Sequence, residues 1–369
     1  MKPGPTLADL RRFAVTRSLF GPTTLGRAIS KLGFVQADPI RAPARAQDLT
    51  LRHRVTNYRA GDLEKKYQKL GVEEDFFVNY GYLPAATQAL MHPRTPRHAL
   101  KPAELEMARN LLAFVREQGV VHPREIDAYF AHGRAQNWFG GTSNVSTQML
   151  DRMHYHGMLR VARRESGTRV YAVREEVFSP FNPQIALDSL VDVIVRKYAP
   201  LPSASLGQLV SKLMVGVPQW QDQRNAALKR ALARLSHAKV DGVDWYWPAD
   251  ERWQGLGGGE DRVRYLAPFD PVVWDRRRFE LLWGWAYRFE AYTPPLKRKM
   301  GYYALPLLWR DQVIGWANAS VAEGRLSAEI GLVGNHRLSR ELRQGFDAEL
   351  AEMAVFLGVA ASGWRQLGA

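Results

Sequence analysis

Three helical periods followed by a β-hairpin pattern, helical order of the same kind on either side, and short strands after a glycine cluster predict the fold class. It is α+β: three tandem winged-helix (helix-turn-helix) modules followed by a small C-terminal β-barrel with a terminal helix. The expected segments are 1–95, 100–178, 183–250 and 262–369.

Thr6-Leu7-Ala8-Asp9 has the form of a capping box, and Leu7, Leu10 and Ala14 follow at helical spacing. Thr24 opens a second helix carrying Leu25, Ala28, Ile29 and Leu32 on one face, and Gly33 sits where a helix-ending glycine belongs. Helices are expected over Leu105–Phe114, Arg124–Phe130 and Val145–His154. A hairpin of Leu159–Arg164 and Arg169–Val173, turning at Glu165-Ser166-Gly167-Thr168, completes this second module. The third repeats the order: Ile185–Tyr198, Leu206–Lys212, Asn225–Leu235, then Val243–Trp247. The resemblance among the modules is one of structure alone, without self-similar sequence. Gly255-Leu256-Gly257-Gly258-Gly259 reads as a linker, because it lacks the Gly-Lys-Ser/Thr of a phosphate-binding loop. Beyond it, Tyr302–Leu308, Val313–Val321 and Leu326–Val333 read as antiparallel strands, closed by an amphipathic helix over Arg340–Phe356.

The 369 residues carry 51 Lys and Arg against 37 Asp and Glu, a formal charge of +14. Residues 1–60 alone hold 11 Lys/Arg and three Asp, so the basic excess is concentrated at the N-terminal end. Such a bias points to a polyanion, nucleic acid before an anionic membrane. Tryptophan is skewed oppositely, with eight of 11 between Trp245 and Trp316. Cysteine is absent, which excludes disulfides, Cys-zinc modules, iron–sulfur clusters and a cysteine nucleophile, and fits a reducing cytoplasm. No apolar run is long enough to span a bilayer, and the N-terminus lacks the apolar stretch of a secretory signal.

Several chemistries find no residues to carry them. There is no HExxH, no Gly-x-Ser-x-Gly and no dinucleotide glycine motif. His154-x-His156 points its rings apart on a helix and reads as two surface residues, so no metal is expected. Asp275-Arg276-Arg277-Arg278 reads equally as a phosphate contact or a solvated helix start. What remains is Gly33-Phe34-Val35-Gln36-Ala37-Asp38-Pro39-Ile40. Pro39 biases Asp38 out of the helical region, so the stretch is extended, with Gln36 and Asp38 on one side. Their Cα atoms then lie roughly 6.5–7 Å apart, and two polar heads at that distance can hold one water. A carboxylate can take its proton while an amide orients it. Spacing alone leaves a surface turn with two ordinary polar residues as the simpler reading.

The residues resemble those of a known family, the AlkZ/YcaQ-type winged-helix DNA glycosylases. Leu32-Gly33-Phe34-Val35-Gln36-Ala37-Asp38 is similar to that family's Gln-x-Gln or Gln-x-Asp catalytic motif, continuing through Ala44-Arg45, Leu49-x-Leu51-x-x-Arg54 and Asn57-Tyr58. A longer match runs from Pro268-Phe269-Asp270-Pro271-Val272-Val273-Trp274-Asp275 through Arg278. It resumes at Tyr287-Arg288-Phe289-Glu290-Ala291-Tyr292-Thr293-Pro294, then at Lys297-Arg298-x-x-Gly301-Tyr302-Tyr303. The Gln-x-Asp form resembles the YcaQ branch. Ala37 is smaller than that family's usual aliphatic residue, and Asp75–Pro84 lacks the branch's His-Glu pair.

The resemblance implies hydrolysis of the N-glycosidic bond of N7-alkylated purines and unhooking of N7-linked interstrand crosslinks, by a monofunctional enzyme without cofactor or metal. Gln36 and Asp38 would be the catalytic pair. Arg45, Arg52 and Arg54, just after them, and Arg163, Arg164 and Arg169, around the hairpin tip, are expected to hold the DNA backbone. The expected partner is double-stranded DNA with alkylated or crosslinked purines, met by a monomer in the cytoplasm at the nucleoid. A non-enzymatic winged-helix transcription regulator explains the helical modules and the charge equally well. It does not explain a carboxylate inside the most basic region, where it opposes phosphate binding. An RNA-binding accessory protein finds no supporting motif.

Overall fold

A computed structural model describes residues 4–130, 134–136, 142–175 and 182–367. The fold is mixed α+β, and the chain groups into two compact units. One comprises residues 1–62, 192–209 and 228–369, and the other residues 63–191 and 210–227.

The first unit opens on the helix Leu7–Ser18, whose Thr6 and Asp9 form the expected capping box. Leu25–Leu32 follows, capped by Thr24 and ended by Gly33 in the left-handed region at φ 67°. Its main sheet has five strands in the order Val263–Tyr265, Leu305–Trp309, Gln312–Ala322, Arg325–Leu332 and Ala360–Gln366. The first four pair antiparallel, and the last joins parallel to its neighbour after the helix Arg340–Leu357. The end strands are not bonded to each other, so the expected small barrel is a curled half-barrel with two edges. Val15 of the first helix packs with Leu266, Val272, Phe279, Leu308 and Val313 in one core, which seats the N-terminal helix on the half-barrel.

The second unit contains the hairpin Val72–Phe76 and Tyr80–Pro84, and the helices Pro102–Gln118, Pro123–Tyr129 and Val145–Tyr155. The strands Leu159–Glu165 and Thr168–Val173 follow as expected, turning through Ser166 and Gly167, both at positive φ. Asp75, wholly buried, accepts from Gln88 Nε2 (2.8 Å) and His92 Nε2 (2.7 Å) and pairs with Arg94 Nη1 (2.9 Å). His154, expected at the surface, is fully buried: its Nδ1 lies 3.1 Å from the Leu159 carbonyl, and burial pushes its pKa down to about 4.

Two sheets share one plan. The two-residue strand Val120–Val121, between helices, pairs with the second strand of the hairpin after it; Leu201–Pro202 does the same with Val243–Trp247.

Candidate active site

The segment holding Gln36 and Asp38 is fixed from both sides by sequence-local and distant groups. Gly33 stops the preceding helix, its amide closing on the Ile29 carbonyl at 2.8 Å. A Cβ at this position would lie 2.7 Å from Val193 Cγ1, so glycine meets both a conformational and a steric demand here. Val35–Gln36 then forms a short strand, and Phe34, Val35, Gln36 and Asp38 are all buried. Lys197, from the helix Pro183–Tyr198, donates to the Phe34 carbonyl and packs on the Phe34 and Tyr198 rings. Burial, helped by the charge of Arg54, pushes its pKa down to about 7.

Gln36 has one defined partner. Trp274 Nε1 donates to its Oε1 at 2.6 Å, and an indole N–H can only donate. The amide is thereby oriented: Oε1 faces the indole, and Nε2 has no hydrogen-bond partner among the described residues. Gln36 can therefore hold a water by donating to it. Asp38 is held through its backbone, whose amide donates to Gln47 Oε1 (3.1 Å), and through Oδ1, which accepts from the Ile40 amide (2.9 Å). Oδ2 accepts nothing among the described residues, which leaves it able to take a proton from water. Burial raises the Asp38 pKa, and the Ile40 N–H opposes that rise. Tyr303 and Tyr292 stand in its field. Burial first, and the Asp38 charge second, push both phenols up.

The turn that presents Trp274 is itself anchored. Asp270 and Arg54 are both wholly buried and meet bidentately, Nη1 to Oδ2 at 2.7 Å and Nη2 to Oδ1 at 3.0 Å. Arg54 further donates to the Ser18 and Thr50 carbonyls at 2.8 and 2.6 Å, so four of its five N–H donors are engaged. Asp270 also accepts from the Val272 amide at 3.0 Å, holding the Pro268–Trp274 turn. Asp275 caps the next helix through the Arg278 amide (3.1 Å), and the Arg278 guanidinium, also buried, donates to the Pro200 and Pro271 carbonyls. The Asp-Arg run is thus a helix start, but Arg278 points inward rather than to solvent.

The arginines expected on DNA divide by their surroundings. Arg54 has no exposed surface and a carboxylate already on it, so it braces the interior and cannot reach phosphate. Arg52 is likewise enclosed, with Nη2 2.6 Å from Glu349 Oε1 on the C-terminal helix. Arg45 is half-buried at the start of the helix Ala46–Leu51. In the second unit, Arg164 pairs with the buried Glu74 (2.6 Å) and Arg169 with Asp151 (3.0 Å). Arg163 keeps 39% of its side chain accessible on the hairpin and pairs locally with Glu165 at 2.6 Å. Among the described residues, no group of three or more His, Cys, Asp or Glu could hold a metal ion.

The sequence reading gave Trp274, Asp270 and Lys197 no role. For the first two, the signal was their place in the Pro268–Arg278 run. Trp274→Phe is expected to lower single-turnover rate by up to about tenfold with substrate affinity unchanged, the scale of one lost orienting hydrogen bond. Comparing rate and affinity on the same substrate checks this.

A model of the family described as DNA glycosylase AlkZ-like matches residues 29–356. Among solved structures, the Streptomyces sahachiroi DNA glycosylase AlkZ is similar in fold. The TM-score is 0.62 and the identity 13%, over 99% of this chain and 100% of that one.

Proposed function

This chain belongs to the AlkZ-like DNA glycosylase family, and on that premise we propose that it hydrolyses the N-glycosidic bond of N7-alkylated purines and unhooks N7-linked interstrand crosslinks. The observation that carries the reading is a polar pair with complementary positions unpartnered among the described residues: Gln36 Nε2 as donor and Asp38 Oδ2 as acceptor.

A purine alkylated at N7 is cationic, so its bond to C1′ breaks readily. Water held by Gln36 attacks C1′ and gives its proton to Asp38. The C1′–N9 pair returns to the imidazolium, and the base leaves neutral. Asp38 also stabilises the positive charge gathering on the sugar. Water is the sole co-reactant, so the reaction is monofunctional and leaves an abasic site. A crosslinked base cannot swing fully out of the helix, and an open groove suits it better than a closed pocket.

The four segments 1–95, 100–178, 183–250 and 262–369 are, in this reading, three winged helices and the half-barrel. The shared plan of the two small sheets, a short strand between helices joined to a later hairpin, supports it. The protein would meet duplex DNA as a monomer in the cytoplasm. Of the six arginines, Arg163 has the surroundings of a backbone contact. Arg163→Ala is expected to reduce the log–log salt slope of binding to undamaged duplex by about one unit, equally for all sequences. Titrations across salt on two unrelated duplexes check it.

The test of activity is incubation with duplex carrying N7-methylguanine or a nitrogen-mustard crosslink. Alkali-dependent strand breaks at the lesion, and single strands released from the crosslink, are the expected products. Intact lesions after prolonged incubation would refute the assignment.

A further inference from the structure

One loop of the half-barrel is built unlike an ordinary surface loop. Glu290 is buried, and its carboxylate accepts from the amides of Lys299 and Met300 at 2.8–3.1 Å, stapling the base of the loop shut. Arg298 Nε reaches back to the Thr293 carbonyl at 2.8 Å, and Asn318 Nδ2 holds the Met300 carbonyl at 2.7 Å. The tip is Pro294-Pro295-Leu296-Lys297, with a single 3₁₀ turn over Pro295–Lys297. Two prolines and a stapled base leave it little freedom. Yet this rigid tip displays Leu296 at 101% of its full surface, and Tyr292 before it stands at 72%. Leucine held rigidly in water gains nothing for the folded chain, so its surface is available to something else.

The surroundings indicate what. Lys297 in the tip and Lys299 just after it are exposed, as is Arg288 before the loop, and Arg298 lies 5.0 Å over the Tyr302 ring. Exposed cations on either side of an apolar point in the chain match a polyanion with an apolar interior, which is the description of a base stack between phosphates. The loop also ends at the candidate site. Gly301, Tyr302 and Tyr303 share an open cavity of about 810 Å³ with Ala42, four residues beyond Asp38, and Tyr292 stands in the Asp38 field.

We propose that the Glu290–Gly301 loop is a wedge whose Leu296 enters the stack of duplex DNA next to the base that Asp38 releases, while the flanking lysines and arginine hold the adjoining phosphates. Insertion of an apolar side chain between base steps unstacks and kinks the duplex, which would open the path of water to C1′ without extruding a base that a crosslink holds in place. This rests on the proposed glycosylase reading for the base involved, but not for the insertion itself.

The experiment uses full-length Asp38→Asn protein, which keeps the lesion intact, and a duplex with 2-aminopurine beside N7-methylguanine. Its fluorescence should rise on binding and fail to rise when Leu296→Ala is added, while Leu296→Met restores it. In the otherwise native enzyme, Leu296→Ala should reduce kcat/KM about tenfold to a hundredfold, the equivalent of one leucine buried only in the complex. Salt dependence on undamaged duplex should not change. Leu296→Ala and Leu296→Asp proteins that open the stack and turn over like the parent would overturn the wedge. So would a mass that rises with concentration and falls with Leu296→Asp while the fluorescence response persists, since the tip would then bind a second copy. A parent enzyme that opens the stack yet releases no base would instead refute the glycosylase reading and leave the insertion standing.

Discussion

Asp38→Asn is expected to lower the rate of base release by about 10²–10⁴-fold, the usual consequence of losing a general base, with DNA affinity retained. Asparagine preserves the shape and can still accept the Ile40 amide, so the turn through Pro39 survives. It cannot take a proton from water or set a negative charge against the cationic sugar. Affinity persists because a buried carboxylate among basic residues contributes nothing to phosphate contact. The same group sets a pH dependence. Burial raises its pKa, and in the proposed reaction the ionised form is the active one, so activity is expected to fall as pH drops through that raised value. The acid limb of kcat should therefore lie above the ordinary Asp range near 4, and should vanish in Asp38→Asn. Single-turnover rates from pH 4 to 8 for both proteins check the pair of expectations. Parallel losses of rate and affinity would make the residue structural.

Asp270→Ala is expected to destabilise the protein by about 3–5 kcal/mol, because it leaves the Arg54 guanidinium buried without its counter-charge. The damage should extend to catalysis. With the carboxylate gone, the Pro268–Trp274 turn loses its hold on the Val272 amide, and Trp274 loses its register with Gln36. Urea unfolding followed by tryptophan fluorescence measures the first effect. Activity per folded molecule, taken well below the transition, measures the second. Arg54→Ala leaves the opposite charge stranded and should match it in stability. A double replacement by apolar residues should be less harmful than either single change, since no charge is then left unpaired.

What the sequence made legible was largely local. Thr6 with Asp9, Thr24 and Gly33 are read within a few residues of the helices they bound, and the structure has those caps. The Glu165–Thr168 turn was legible for the same reason. The Gln36/Asp38 segment could be located because a glycine stop and a proline bracket it. Its partners could not: Trp274 is 238 positions along the chain, and no periodicity connects them. Arg54 was misread because an arginine in a basic stretch looks solvated until Asp270, 216 positions away, is brought against it. His154 was misread similarly, since spacing says nothing of the Leu159 carbonyl that meets its ring. The strand Ala360–Gln366 escaped notice because Ala-Ala-Ser-Gly carries no alternation of apolar and polar residues.

That last strand has a consequence for handling the protein. A closed barrel offers no place for another chain to add, whereas a half-barrel ends in two rows of backbone donors and acceptors. Ala360–Gln366 covers one such row on Arg325–Leu332, an eight-residue strand whose Leu326, Ala328 and Ile330 are buried. The covering strand is a poor template itself, because its register shifts near Gly363, and Arg365 and Gln366 lie exposed along it. Trimming the chain back to residue 359 would uncover the long, regular neighbour and invite strand addition between molecules. Cover for that row therefore rests on these seven residues, and a purification tag belongs beyond them.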